Sequence, residues 1–263
     1  MEQEKAIAAL RDSVVAIMRI RQTSPERKKH GKVFPTAFQL GFVGTAFCVV
    51  ENRFFVTAHH VFNERQPRNV DDKFYVFAVP GNADAAYPFP VMGYPHADDT
   101  TDLAIIEIGQ GQPGSPQIPA LRFRTRPIPD GSRVVTCGFP APVIAGASIG
   151  PNGTFLGGQF FLKSHANEGI VAAQYRVGGH RMFEFNVGWY NGESGGPVMS
   201  LEDGAVVAIM QGYRNIQAPH GTVAGPHMAR PVALIADKLI AAGAVDVAAQ
   251  AEGVALTQPV PKS

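Results

Sequence analysis

From Val14 onward the chain consists of short apolar and β-branched runs separated by Gly, Pro, Asn or Asp. The runs GFVGTAFCVV, FFVTA, KFYVFAV and DLAIIEI come first, followed after a gap by RVVTCGF, QFFL, GIVAAQYRV, MFEFNV, PVMS and AVVAIM. Runs of this length, bounded by turn residues at short intervals, predict strands of an all-β sandwich or barrel. Helical spacing is confined to the two ends. Residues 2–11 alternate charge with Ala, Ile and Leu, and Pro231 to Ala242 carries a helical pattern that opens on Pro and closes on Gly243.

Between the first strand, expected from Val14 to Ile20, and Gly41 lies RQTSPERKKHGKVFPTAF, rich in cations and poor in anything to bury; this predicts an exposed loop. Gly109 to Pro119, GQGQPGSPQIP, has no apolar period and reads as a linker. It divides the chain into residues 1–110, a helix and a first barrel, and 111–243, a second barrel and a closing helix. Residues 244–263 are expected to form an unstructured tail.

Composition narrows the class. The 28 glycines and 21 prolines exceed the roughly 12% combined share of average chains, while charged residues, at 17%, fall below the usual ~25%. Coiled coils, helical bundles and disordered chains are excluded by this balance. A net charge of +1 gives no bulk attraction to nucleic acid or to an anionic membrane. No apolar run approaches the roughly 18 residues of a membrane span, and the first fifteen residues carry charges where a secretory leader would be apolar, so a cytoplasmic location is expected. Cys48 and Cys137 are too few for a disulfide scaffold, lack metal-ligand spacing and are expected to be reduced core residues.

Three polar elements interrupt the strand pattern. NGESGGPVM sets Ser194 among glycines, which let backbone N–H groups approach a substrate carbonyl. VTAHHVF puts His59 and His60 at the end of an apolar run, where adjacent side chains diverge. DDTTDLAIIEI brings Asp102 into an otherwise apolar strand, where an acid needs a partner. Each alone reads as a turn, a surface histidine or a cap. Together, in the order His, Asp, Ser, they supply base, orienting acid and nucleophile for acyl transfer.

The strings GTAFCVV…FFVTAHHV, TTDLAIIEI and GESGGPV resemble the trypsin-like, chymotrypsin-fold serine peptidases, with the detail most similar to the bacterial high-temperature-requirement type. PDGSRVVTCGFP and GPHMARPVALIADKLIAAG resemble the opening of that family's second barrel and its last strand and helix. The resemblance implies two six-stranded antiparallel β-barrels with short terminal helices and a serine endopeptidase acting on protein or peptide substrates. By the same resemblance His60 is the general base, Asp102 its orienting carboxylate, Ser194 the nucleophile, and Gly192 and Ser194 the oxyanion-hole donors. Val187, Gly188, Gln211, Gly212 and Tyr213 would line the primary substrate pocket; with no Asp at its base, an apolar or small P1 side chain is expected. No cofactor and no metal are called for. Glu193 stands where the zymogen-activated branch has an Asp, so no proteolytic activation is expected, and no peptide-binding PDZ module is expected after Gly243.

Four other readings stay open. GESGG also fits the nucleophile elbow of an α/β-hydrolase esterase, with Asp203 and His220 or His227 completing its triad. A catalytically silent scaffold or binding module on the same fold is the second. The third takes the basic loop as an anion-binding arm, with Arg122, Arg124 and Arg126, alternating on one face of a possible strand, as further cations; nucleic acid is disfavoured because no exposed aromatics are interleaved. A metal site at His59, His60, His96, Asp98 and Asp99 lacks any supporting motif.

Overall fold

Both faces of the first strands are buried, which explains why they read as continuous apolar runs rather than as alternating ones. In the structure, a computed structural model describing residues 1–30, 32–63, 72–140, 142–188, 190–218 and 221–247, helix α1 (Gln3–Ser13) leads directly into β1 (Val14–Ser24). Strands β2 (Arg27–Lys29) and β3 (Lys32–Phe34) form a small exposed hairpin. Then follow β4 (Ala37–Val50), β5 (Phe54–Ala58), the short helix α2 (His60–Asn63), β6 (Lys73–Ala78), β7 (Tyr87–Asp98) and β8 (Leu103–Ile108). The order β1-β4-β5-β8-β7-β6 closes a six-stranded antiparallel barrel. One face of β1 and β4, with Val15, Ile17, Ala46 and Cys48, packs with Phe55 and Ala104. The other, with Ala16, Met18, Phe47 and Val49, packs against Leu10 of α1 and against Cys137, Phe139 and Met199 from the second half of the chain.

That second half contains β9 (Arg133–Gly138), a separate hairpin of β10 (Val143–Ile149) and β11 (Phe155–Phe161), then β12 (His165–Val177), β13 (His180–Asn186), β14 (Pro197–Ser200), β15 (Val206–Ala218) and β16 (Gly221–Pro231). A second closed barrel has the order β12-β13-β16-β15-β14-β9. A 3₁₀ turn at Val232–Ile235 and helix α3 (Ala236–Ala241) follow. The architecture is the expected pair of six-stranded barrels with short helices at each end, a chymotrypsin-like fold. The shared apolar cluster runs from one barrel into the other, so its burial favours their present placement.

Several expectations are corrected. The stretch 21–38 is not a loop: β1 continues to Ser24 and pairs with the start of β4, and Arg21 is tied to buried Asp72 by bonds of 2.8 and 2.6 Å. Arg122, Arg124 and Arg126 lie in no strand; within that stretch Phe123 alone makes isolated bridges, to Val206 and Asp246. The linker from Gly109 to Pro119 carries no helix or strand but is anchored by buried Ile118, whose N–H donates to Asn52 Oδ1 at 2.8 Å. The expected tail begins later than Ala244: that residue is buried, Val247 N–H donates to Phe123 O, and buried Asp246 accepts from Thr125 Oγ1 at 2.6 Å. Residues 248–263 lie outside those described. Both cysteines are free and buried, and burial pushes each thiol up to about 12.

Candidate active site

Strand β5 is buried along its whole length and ends at Ala58, so the chain emerges at the barrel rim as it reaches the two histidines. They part at once. His59 Nδ1 lies 2.8 Å from the exposed carboxylate of Asp99, whereas His60 opens α2 and turns toward Asp102. Asp102 Oδ1 accepts the main-chain N–H of His60 at 2.8 Å and Oδ2 meets its Nδ1 at 2.8 Å; Asp102 O accepts the His59 N–H at 3.1 Å. One carboxylate thus fixes both the backbone and the ring of His60. With Asp102 ionised, Nδ1 bears the proton and Nε2 is left basic.

Asp102 can take this position because the turn before β8 gives it φ +56°, a left-handed conformation that Asp tolerates better than most residues. The turn is pinned by Asp98, which accepts from Thr100 N at 2.9 Å and Thr101 Oγ1 at 2.8 Å, bonds that hold its carboxyl below the usual range.

Ser194 reaches the site on a loop that docks against the first barrel. Thr45 of β4 is the hinge of this contact. Its N–H donates to Ser194 O at 2.9 Å, its Oγ1 donates to Gly192 O at 2.8 Å and accepts from Phe139 N at 3.1 Å, and its carbonyl accepts from Thr57 Oγ1 at 2.7 Å. Only glycine fits at 195: φ is +85°, and a Cβ there would lie 2.1 Å from Thr57 Oγ1 and 2.2 Å from Thr45 O. The serine loop is thereby pressed onto the end of β5, the strand that delivers His60. Sequence reading missed Thr45 and Thr57. Their available signal was a hydroxyl inside an apolar strand, which, once buried, must find a partner.

Ser194 is 8% exposed, and its Oγ donates to Gln211 O at 3.0 Å. The N–H groups of Gly192 and Ser194 have no acceptor among the described residues, while those of Glu193, Gly195 and Gly196 are all bonded internally. The two unengaged donors lie at Ser194 itself and two residues before it, and a pair of free main-chain N–H groups can donate to an oxyanion. Arg230 on β16 feels the charge of Asp102, which raises its pKa while burial, the larger effect, lowers it.

The residues expected to line a substrate pocket separate into groups. Val187 is buried with Val171 and Phe185 in the core of the second barrel. Gly188 and Tyr213 are exposed, Gly212 is half-buried, and Gln211 contributes its carbonyl to Ser194 while its side-chain amide is buried without a partner among the described residues. Trp189 lies outside the described residues.

Glu193 is 3% exposed and forms no ion pair among the described residues; Tyr190 N–H donates to its Oε2 at 2.9 Å and Asn167 Nδ2 approaches Oε1 at 3.5 Å. The Met1 ammonium bonds to the carbonyls of Leu201 and Glu202. Burial pushes the Glu193 carboxyl from 4.5 to about 7. A carboxyl raised on folding contributes stability that is full below pH ~4.5 and lost as pH rises through ~7. This group should therefore remove up to about 3 kcal/mol of stability between those limits. Urea unfolding of Glu193→Gln across pH 4.5 to 8 should lack that decline; parallel curves for variant and parent would show that Glu193 is not its source.

The alternatives meet this geometry directly. An esterase elbow must run from strand to helix, but Ser194 is followed by strand β14, and Asp203 is bound by Arg124 at 3.0 Å.

The trypsin-like peptidase domain family matches residues 44–209. No curated protein matches the chain. Among solved structures, an HtrA-type protease AlgW with a decapeptide is similar over 91% of this chain at 16% identity and a TM-score of 0.61. Another structure of that protease, with a tripeptide, is similar over 90% at 16% identity and a TM-score of 0.58. The chain spans 66% and 62% of their lengths. At such identity the likeness establishes the fold, which all three share.

Proposed function

The chain belongs to the trypsin-like peptidase family, and we propose that it is a serine endopeptidase in which Ser194, His60 and Asp102 act as nucleophile, base and orienting acid. The observation that carries this reading is the double hold of Asp102 on the backbone and ring of His60, 2.8 Å each. In the reaction Ser194 Oγ leaves the Gln211 carbonyl, passes its proton to His60 Nε2 and attacks the scissile carbonyl carbon. The resulting oxyanion accepts from the N–H groups of Gly192 and Ser194. Collapse breaks the C–N bond as the imidazolium protonates the leaving amine; water then repeats the cycle on the acyl-enzyme and restores Ser194. Asp102 stays ionised and keeps the Nδ1–H tautomer throughout.

The substrate is a protein or peptide, and Gly188, Gln211, Gly212 and Tyr213 bound its P1 side chain, with Val187 supporting them from the core. An apolar or small P1 residue suits a wall without a carboxylate. No helix among the described residues is long and apolar enough to cross a membrane. A reducing, cytoplasmic setting is supported by the two free buried thiols.

The silent-scaffold reading has one observation in its favour, the Ser194 hydroxyl resting on the Gln211 carbonyl. Labelling of the purified chain with a fluorophosphonate, followed by peptide mapping, separates the two. The adduct is expected on Ser194 alone. Absence of an adduct, or its appearance on another residue, would remove the endopeptidase reading.

A further inference from the structure

Away from the serine loop, a cavity of about 330 Å³ opens on the second barrel between the β12–β13 turn, the segment after Phe123 and the chain following β16. It shares no lining residue with the candidate triad. Four arginines (Arg124, Arg126, Arg176 and Arg181) and His180 line it, with no Asp or Glu among the lining residues. Phe183, Val207 and Leu234 supply an apolar floor.

The charges are not equivalent. Arg124 is neutralised by Glu202 and Asp203 at 3.2 and 3.0 Å. Asp246, buried behind Thr125, faces the Arg124–Arg126 segment. Arg176 and Arg181 differ from both. They stand directly opposite each other in the β12–β13 ladder, so their side chains share one face, and neither forms an ion pair among the described residues. The Arg176 guanidinium bonds only to a carbonyl, that of Gly179 at 2.9 Å. Like charges directly opposite in a ladder are destabilising, and a guanidinium keeps its charge at any working pH. The β12–β13 ladder thus brings two arginines without a carboxylate partner among the described residues to a cavity with an apolar floor.

We infer that this cavity binds a small phosphate monoester carrying an apolar group, with Arg176 and Arg181 gripping the phosphate from both strands and the apolar group lying over Phe183, Val207 and Leu234. Two forked donors suit the oxygens of a dianion, and the cavity is of the size that holds a small ligand. The site is independent of the proposed peptidase activity.

Calorimetric titration of the full chain with phenyl phosphate tests the assignment. One saturable site is expected, weakening as salt rises. Arg176→Ala and Arg181→Ala should each lose about tenfold to a hundredfold in affinity, the value of one charge-assisted contact. Ser194→Ala should bind as the parent does, so a failed peptidase reading leaves this result intact. Inorganic phosphate should bind more weakly, lacking the apolar contact. As a check on folding, both arginine variants should melt at or above the parent temperature without ligand, since the like-charge pair is relieved, and should gain less from phenyl phosphate. No saturation up to about 10 mM, too weak for a specific site, overturns the assignment. So does unchanged affinity in both arginine variants, or equal affinity for inorganic phosphate.

Discussion

Ser194→Ala is expected to lower kcat for peptide-bond hydrolysis by about 10⁶-fold while leaving the fold intact. The size follows from chemistry: without Oγ there is no acyl-enzyme, and what remains is the oxyanion donors acting on direct attack by water, about 10³- to 10⁴-fold over the uncatalysed rate. The small structural cost follows from packing. The hydroxyl makes one hydrogen bond, to Gln211 O, and its net worth is about 0.5–1.5 kcal/mol. The loop itself is held through backbone groups, by Thr45 on Ser194 O and Gly192 O, and those survive the substitution. Progress curves on a peptide substrate, read beside urea unfolding, check both halves. Hydrolysis within tenfold of the parent would show that another group is the nucleophile.

Asp102→Asn should cost about 10⁴-fold in kcat at neutral pH. Asn can keep one half of the present arrangement, a carbonyl oxygen accepting the His60 main-chain N–H. The other half inverts: its amide donates to Nδ1, which forces the proton onto Nε2 and removes the basic nitrogen that must face Ser194. Asn also tolerates the left-handed backbone at φ +56°, so the turn before β8 should persist, as it would not with a β-branched residue. Steady-state kinetics with circular dichroism test this. A loss below tenfold would mean that Asp102 is a structural cap on α2 and not the orienting acid.

How much of this was legible beforehand depends on the distance over which each feature is decided. The strands were legible because β-branched runs bounded by Gly, Pro and Asn announce themselves locally, and both barrels and both terminal helices follow from that pattern and the family resemblance. The candidate triad was legible because GESGG, TAHHV and TTDLA are short strings. The stretch 21–38 reads as a loop because of its cations, yet Arg27–Lys29 pairs with Lys32–Phe34, and β1 continues to Ser24 against the start of β4, a pairing set by register with distant residues. The start of the tail was misread because Asp246 gains its place through Thr125, a residue far away in the chain.

By itself, then, the sequence determined most of the strands, the two terminal helices and the residue types available for acyl transfer, all of which depend on near neighbours and on the period of a strand or helix. Tertiary structure alone decided that Asp102 holds both the backbone and the ring of His60, that Thr45 clamps the serine loop, that burial pushes the Glu193 carboxyl up and that Arg176 stands opposite Arg181. Each of these depends on register or on burial, and both are properties of how distant segments pack: a shift of one residue reverses the face a side chain occupies, and desolvation exists only once the barrels have closed over it.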